Sequence, residues 1–532
     1  MGNRRPLATA RASSATATGT AAAALRVFVP GLLLLLVTRA PLVASARFVP
    51  DGDEAIVGLM AKRLLEHGDL GLFYWGQAYG LALLESAAGA LAFAIGGVSG
   101  AALKLGALAV FTSGFVAFVA AARRLAGDRA AMLFGMLLAA APSWLAFSAK
   151  AWGGFVTAFA LAPLALLCMP GRETAARRRS RAALAGAVFA LTCFAQAIGA
   201  LALAPLLLAD ELRPRRRGEW LALLAGAAAL GATLLAAAHP GEAYWAPSLF
   251  RGTGGAAGAG LASPGIGRAL WVMATGCHFM ITPLLAPLLA RVSAALALVA
   301  LPALVIAAAL RLRARSFPLE AACAASVILV LAAGLAMRPE RLMFRYLVPL
   351  VAPLALGAAV LLARLASGGR PRRAFVIVAA SAWTLAGAGA AWPMRDAAFS
   401  GWTANEERAI PRLVEALESA GVRCVCTTHP TLQWTLMFES RERLLARWTS
   451  PRDRRPEILR TVDAAVDAGE TVAVVALPWD ARAVQSALLR AAAVDSAAPP
   501  TPRAVGKAFV VWLGVSRAQL DAIGFARADV RS

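Results

Sequence analysis

The chain has 532 residues, of which 59% are hydrophobic and 16% are charged, and its formal net charge at neutral pH is +23. Several apolar runs are long enough to cross a hydrocarbon core of roughly 30 Å, so the composition indicates a polytopic membrane protein. The basic residues lie in short clusters between those runs, which fits the positive-inside rule and excludes a nucleic-acid-binding face. These clusters are Arg123-Arg124, Arg172 to Arg181, Arg213 to Arg217, Arg311 to Arg315 and Arg370 to Arg373.

The amino-terminal elements are predicted from charge and hydropathy. Residues 1–24 are predicted to be a disordered cytoplasmic arm, followed by a first span at about 25–46. A cleavable signal is the alternative, since Ala44-Ser45-Ala46 resembles a peptidase site, but Arg39 and Pro41 disfavour it. Residues 47–100 then form the first outer loop, in which the apolar run 81–95 is expected to insert only partly.

The basic clusters set the direction of the remaining spans. Residues 183–209 lie between two basic loops and are expected to form a hairpin of two short helices around Phe194-Ala195-Gln196. The count is eleven transmembrane helices, with residues 25–392 as the membrane domain. The protein is therefore predicted to lie in the cell membrane with a cytoplasmic N-terminus. The other predicted spans are 101–122, 130–147, 153–169, 220–238, a return ending near 310, 319–337, 347–366 and 374–392.

The carboxyl-terminal region, residues 393–532, changes character after Trp392. Charged helical stretches and apolar strand-like runs alternate, which predicts a small extracytoplasmic α/β domain. Helices are predicted at 405–419 and 455–468, and strands at 422–426, 471–477 and 509–514. Cys424 and Cys426 with His429 form only half of a metal site, and the six cysteines do not indicate a disulfide framework.

The residues with the clearest chemical signal follow the first span. Asp51-Gly52-Asp53-Glu54 opens an amphipathic helix, 54–67, that is suited to lying on the outer leaflet and ends at Gly68. Asp53 is predicted to be the N-cap of that helix, a role compatible with that of a rigidly held general base. Glu54 is placed beside it as a second catalytic residue.

An aromatic segment, Phe73-Tyr74-Trp75-Gly76-Gln77-Ala78-Tyr79-Gly80, follows the helix. An interfacial aromatic belt is the simpler explanation for its rings, and substrate contact is the alternative. Glu85 lies in an apolar run, where a carboxylate is costly unless it faces protein or a polar cavity, so it is predicted to line the site.

The arrangement of Asp53-Glu54 at the start of an interfacial helix, Tyr-Trp-Gly-Gln-x-Tyr-Gly, Glu85 and Arg345-Tyr346-Leu347-Val348-Pro349 resembles the GT-C glycosyltransferases. The nearest branches are the protein O-mannosyltransferase and lipid A aminoarabinose-transferase relatives. The resemblance implies transfer of a sugar from a polyprenyl-phosphate donor at the outer membrane face, and it implies the catalytic base position for Asp53. The acceptor would be a cell-envelope glycan, lipid or protein.

Further contacts are predicted around that base. Substrate contacts are assigned to Asp51, Gln77, Tyr79, Glu85, Lys150, Arg341, Arg345, Tyr346 and Arg39. Lys150 stands where many family members carry a second acidic residue, so it is predicted to contact phosphate. Arg341 and Arg345 are expected near the donor phosphate, although outward snorkelling also explains cations at these positions, as it does for Arg39. No cofactor is assigned, and a divalent cation on Asp51, Asp53 and Glu54 stays open.

Two other classes of protein remain as alternatives. A lipid or polysaccharide transporter would also have many spans, but transporters usually carry ionisable sites near mid-membrane and internal repeats. Lys104 is the main charge inside a later span, and the other polar groups gather on the outer face. A structural scaffold would leave the acidic cluster and Glu85 without explanation.

Overall fold

The computed structural model describes residues 7–43, 49–170, 174–212, 214, 216–238, 299–310, 316–336, 344–391, 404–495 and 498–528. Helices occupy most of the first part of the chain. In chain order they are α1 (Leu7–Val43), α2 (Gly52–His67), α3 (Leu83–Gly96), α4 (Gly100–Ala139), α5 (Pro142–Phe147), α6 (Phe155–Cys168), α7 (Ala175–Ala195), α8 (Ala197–Leu207), α9 (Arg217–Ala237), α10 (Val299–Leu310), α11 (Leu319–Ala336), α12 (Val351–Ala366) and α13 (Arg370–Ala391). Two 3₁₀ turns, Phe344–Tyr346 and Val348–Leu350, precede α12.

Helices stand at the positions of most predicted spans that fall within the described residues. Four segments are long and apolar enough to cross a membrane, namely Ala24–Val43, Gly100–Ala139, Arg217–Ala237 and Val348–Ala366, and five shorter apolar helices accompany them among the described residues. The molecule is thus a helical membrane protein, and the number eleven stays a prediction. Helix α1 begins at Leu7, so it extends back into the arm predicted as disordered, because that alanine-rich segment favours helix.

Two predicted breaks between helices are present. Gly127 interrupts α4 with a φ of 82° and a ψ of 173°, within the turn expected between 122 and 130. The two halves fold back on each other, because the rings of Phe118 and Phe134 lie 6.1 Å apart although sixteen residues along one helix would separate them by about 24 Å. Gln196 is extended and separates α7 from α8, as the sequence predicted for the segment 183–209.

A five-stranded sheet organises the carboxyl-terminal domain. Its elements are α14 (Ala404–Ser419), β1 (Cys424–Thr427), α15 (Leu432–Glu439), β2 (Leu445–Trp448), α16 (Pro456–Asp467), β3 (Val472–Ala476), α17 (Pro478–Asp495), β4 (Arg503–Val505), β5 (Phe509–Leu513) and α18 (Arg517–Ile523). The strand order is β2-β1-β3-β5-β4, with β1 parallel to β2 and β3, and β5 antiparallel to β3 and β4. Helices and strands alternate here as the sequence predicted, and the extracytoplasmic position of the domain stays a prediction.

The carboxyl-terminal domain docks on α2 through helix α15. Glycines allow the two helices to approach closely: a Cβ at Gly58 would lie 2.4 Å from the ring of Phe438, and one at Gly52 would lie 2.4 Å from Thr431. Glu442 adds ion pairs with Lys62 at 2.8 Å and Arg63 at 3.0 Å. Helix α2 is therefore packed between α3 and α15 and is largely buried in protein, and its predicted place at the outer leaflet stays a prediction.

Substitution of Gly58 by Ala tests this docking. Alanine ordinarily favours a helix over glycine by about 1 kcal/mol, but here overpacking against Phe438 would cost about 1–3 kcal/mol. We expect a lower melting temperature in detergent and faster proteolysis of the carboxyl-terminal domain. The control is Gly231→Ala in α9, where the added Cβ meets open space among the described residues. Equal melting temperatures for the two variants would contradict the close contact.

Candidate active site

Asp51 is the N-cap of α2, and it forms a reciprocal capping box with Glu54. Its Oδ1 accepts a hydrogen bond from the backbone N–H of Glu54 at 2.9 Å, and the Glu54 carboxylate accepts one from the backbone N–H of Asp51 at 3.2 Å. The prediction that Asp53 caps the helix is therefore wrong by two residues. Because Asp51 satisfies the helix end, the side chain of Asp53 in the first turn is left to interact elsewhere.

Two buried lysines neutralise the capping pair. Lys150 Nζ lies 2.8 Å from Asp51 Oδ2, which also accepts a hydrogen bond from the Trp152 indole at 3.0 Å. Lys104 Nζ lies 2.6 Å from Glu54 Oε1, and both side chains of this pair are at most 2% exposed. Burial acts to raise the pKa of Asp51, but the charge and hydrogen bond of Lys150 outweigh it and lower the pKa to about 2.

These pairs change the roles predicted for Asp51, Glu54 and Lys150. Lys150 was predicted to contact phosphate. It is instead 3% exposed and forms an ion pair with Asp51. Glu54 is 0% exposed and bound to Lys104, which leaves its carboxylate no face toward a substrate. The three residues hold the start of α2 in place. Glu54 therefore has a structural role, and Asp53 is left as the candidate catalytic residue.

Asp53 is the accessible carboxylate of the cluster, with 37% of its side chain exposed. Its Oδ1 accepts a hydrogen bond from the Tyr74 hydroxyl at 2.9 Å, and its Oδ2 accepts one from Arg345 Nη1 at 3.0 Å. Burial, reinforced by the Asp53 charge, raises the pKa of Tyr74 well above its usual value, so the phenol stays protonated as a donor. The carboxylate is thus oriented from two sides while it remains accessible to solvent.

Arg345 forms the cationic side of the site through its ion pair with Asp53, and its predicted contact with the donor phosphate stays a prediction. Its guanidinium lies 5.7 Å from the ring centroid of Trp152 and 5.4 Å from that of Tyr346. Burial acts to lower the pKa of Arg345, but Asp53 outweighs it and raises the pKa above the usual value. The buried Nε has no hydrogen-bond partner among the described residues, so Arg345 keeps a donor for an anion.

The aromatic segment after α2 forms the rim of the site. Tyr79 is 36% exposed. Burial raises the pKa of its hydroxyl, and the charges of Arg345 and Asp53 act on that pKa in opposite directions. Gln77 closes a turn by donating its backbone N–H to the Tyr74 carbonyl at 3.0 Å, and its side chain is half-buried. Tyr346 packs beside the Arg345 guanidinium, and the substrate contacts predicted for Tyr79 and Tyr346 stay predictions.

Glu85 does not line the site. Its Oε1 accepts backbone hydrogen bonds from Gly154, Val156 and Thr157 at 3.0 to 3.1 Å, so it caps the N-terminus of α6. Arg124 donates to carbonyls at the other end of the same helix, including those of Leu167 and Met169. Charges of the sign that the helix dipole favours thus stand at both ends of α6. The substrate role predicted for Glu85 is replaced by a structural one.

Arg39 also has a structural role. It is 2% exposed and donates to Ser148 Oγ at 3.2 Å, to Thr38 Oγ1 at 2.7 Å and to the carbonyls of Ala139 and Trp144. These bonds join α1 to the end of α4 and to α5, so neither snorkelling nor the predicted phosphate contact describes this side chain. Arg341 lies outside the described residues.

The three carboxylates at the start of α2 do not form a cation site. Asp51 pairs with Lys150, Asp53 with Arg345 and Glu54 with Lys104 and, at 3.7 Å, with Lys150, so each carboxylate has a cationic partner. No group of three His, Cys, Asp or Glu side chains with metal-binding geometry occurs among the described residues. The mechanism proposed below uses no metal.

An apolar groove runs along the membrane helices, between α12 and α13. It has a volume of about 490 Å³ and follows one face of α12, from Val351 to Leu365, which spans about 21 Å of helix. Helix α13 contributes Phe375 and Trp383 to the opposite wall. The first α12 residue of its lining, Val351, lies six residues after Arg345 in the sequence.

Sequence reasoning missed three residues of the site. Tyr74 was assigned to the aromatic belt, and Lys104 was noted only as a charge in a span, which was the available signal for a buried partner. Arg454 belongs to the carboxyl-terminal domain, and its Nη1 donates to the Trp75 carbonyl at 3.1 Å. The local sequence offers no signal for that contact, because it depends on how the domain docks.

The structure therefore defines a polytopic helical membrane protein. Its site is a cluster of carboxylates paired with cationic side chains, and a small α/β domain packs against it. Its fold matches that of ArnT from Cupriavidus metallidurans in the apo state, with a TM-score of 0.60 at 15% identity over 94% of this chain and 99% of that chain. The same enzyme bound to undecaprenyl phosphate matches with a TM-score of 0.55, again at 15% identity, over 92% of this chain and 97% of that one.

A third similar structure is the Archaeoglobus fulgidus oligosaccharyltransferase tethered to an acceptor peptide, with a TM-score of 0.50 at 14% identity over 89% of this chain and 71% of that one. No protein-family model and no curated protein matches the sequence. The chain resembles the GT-C membrane glycosyltransferases in fold, as the sequence motifs predicted. At these identities the likeness extends to the fold and no further.

Proposed function

We propose that this protein is a glycosyltransferase that moves a sugar from a polyprenyl-phosphate donor to an extracytoplasmic acceptor. The acceptor is a cell-envelope glycan, a lipid or a protein. The observation that carries the proposal is the accessible Asp53 carboxylate, held by Tyr74 at 2.9 Å and by Arg345 at 3.0 Å, in a protein whose membrane helices also enclose an apolar groove. A base, a cation and a lipid-sized channel are the parts that such a transfer requires.

In the proposed mechanism Asp53 acts as general base. An acceptor hydroxyl gives its proton to the Asp53 carboxylate while its oxygen attacks the anomeric carbon of the donor sugar. The bond between that carbon and the phosphate oxygen breaks, and polyprenyl phosphate leaves with the bonding electron pair. The configuration at the anomeric carbon inverts, because attack and departure take place on opposite faces. A positioned base contributes about 10²–10⁴-fold to such a step.

Arg345 is proposed to receive the departing phosphate. Its planar guanidinium can contact a carboxylate and a phosphate at once, and its Nε is the buried donor without a partner among the described residues. Negative charge grows on the phosphate oxygens as the bond breaks, so a fixed cation there stabilises the transition state. Tyr79, Tyr346 and Gln77 are proposed to line the sugar and acceptor side of the same opening.

The groove along α12 is proposed to hold the isoprenoid tail. Its lining is almost entirely apolar, and it follows α12, which begins six residues after Arg345 in the sequence. The similar ArnT structure was determined with undecaprenyl phosphate bound, which supports a lipid phosphate as the class of donor. The transporter alternative loses its main support, because the intramembrane charge of Lys104 is neutralised by Glu54 at 2.6 Å.

A donor panel tests the proposed function. Purified protein in liposomes should release sugar from at least one radiolabelled polyprenyl-phosphate sugar when lipid, glycan and peptide acceptors are supplied. The control panel consists of the same sugars on nucleotides, which have no tail for the groove and should give no transfer. Release from the nucleotide sugars, or movement of an intact lipid-linked sugar across the bilayer with no release, would contradict the proposal.

A further inference from the structure

The loop between β2 and α16 brings the carboxyl-terminal domain to the rim of the membrane site. Asp453 anchors this loop, because its carboxylate accepts hydrogen bonds from Gln433 Nε2 at 3.0 Å and from the backbone N–H of Arg454. The side chains of the next two residues, Arg454 and Arg455, contact the aromatic segment after α2. Arg455 lies 4.6 Å from the ring centroid of Trp75, and Arg454 lies 4.8 Å from that of Tyr74.

Arg454 is seated closely on this segment. Its Nη1 donates to the Trp75 carbonyl at 3.1 Å, and its backbone passes over Gly76. A Cβ at Gly76 would lie 2.8 Å from Arg454 Cα, and the φ of 69° at this glycine is one that other residues rarely adopt. A residue with a side chain at position 76 would push the arginine away.

Tyr74 connects Arg454 to the carboxylate. The guanidinium of Arg454 covers one face of the phenol ring, and the hydroxyl of that ring donates to Asp53 Oδ1 at 2.9 Å. Arg345 holds the other carboxylate oxygen from the membrane domain. The direction in which Asp53 points is therefore set by two arginines, one from each domain, with Tyr74 between the carboxylate and the more distant arginine.

We infer that Arg454 of the carboxyl-terminal domain is a positioning residue for the reaction at Asp53, and that it acts by holding Tyr74 against the carboxylate. The inference rests on the proposed function, and it gives the carboxyl-terminal domain a part in catalysis. Arg454 does not hold the two domains together by itself, because the ion pairs of Glu442 and the packing of Phe438 on Gly58 are separate contacts. Loss of the side chain should therefore release Tyr74 and leave the domain docked.

The test is the transfer kinetics of Arg454→Ala. We expect kcat to fall about 10–100-fold with KM changed less than about threefold, because a small displacement of a catalytic group costs rate more than binding. Arg454→Lys keeps a cation over the ring and should recover most of the rate. Arg455→Ala is the matched control: it removes a neighbouring arginine that lies on Trp75 and should stay within about twofold of wild type.

Tyr74→Phe completes the experiment. If Arg454 acts through Tyr74, the double variant with Arg454→Ala should be no slower than Tyr74→Phe alone, since contributions made through one group are not additive. Additive losses, a wild-type rate for Arg454→Ala, or a fall that follows the folded fraction in a melting assay would overturn the inference. A wild-type protein that transfers no sugar from any donor would instead contradict the proposed function.

Discussion

Replacement of Asp53 by Asn should reduce sugar transfer by about 10²–10⁴-fold while the protein still folds and inserts. Asparagine keeps the shape of the side chain and can still accept a hydrogen bond from Tyr74, but it cannot take a proton from the acceptor. Folding should be spared, because Asp51 supplies the cap of α2 and 37% of the Asp53 side chain is exposed. The measurement is the rate of transfer from the donor that the panel identifies, together with the melting temperature.

The matched control for this variant is Glu66→Gln on the same helix. Glu66 is an exposed carboxylate that pairs with Lys62 at 2.8 Å, away from the site, and its loss should cost little stability and no activity. A glycosyltransferase in which Asp53→Asn retains its rate would require a different base. An equal loss of rate in both variants would indicate a general effect of charge on α2.

The second large effect is expected on stability. Glu54→Gln keeps an acceptor for the Asp51 capping box, because glutamine also serves at that position, but it leaves Lys104 buried without its carboxylate. An uncompensated charge of this kind costs about 3–5 kcal/mol. We expect a melting temperature in detergent well below that of wild type, with loss of transfer as α2 becomes disordered.

The double variant Glu54→Gln with Lys104→Met separates charge from packing. Methionine has nearly the length of lysine and carries no charge, so the pair leaves no buried ion behind, and replacement of a buried ion pair by apolar groups is often neutral. We therefore expect recovery of most of the lost melting temperature. A double variant as unstable as Glu54→Gln alone would show that the ion pair itself, and not the stranded lysine, sustains the fold.

Local patterns in the sequence predicted much of the framework. Apolar periodicity placed the helices of the membrane domain and three of the five strands, because each of these signals is contained in one short segment. Strand β4, with three residues, and β2, with four, carry too few alternations to stand out. The capping box was also readable, since Asp51 and Glu54 have the required spacing, although Asp53 was predicted as the cap instead.

The sequence by itself determined that this is a polytopic membrane protein, and it predicted the reactive group among the carboxylates after the first span. Only the tertiary structure decided which of those carboxylates is accessible to solvent and which are buried in ion pairs. Lys104 and Lys150 bind Glu54 and Asp51, while Arg345, nearly three hundred residues away, reaches Asp53. Local sequence cannot decide such pairings, because the energy of a buried charge depends on the partner that helix packing brings within hydrogen-bond distance.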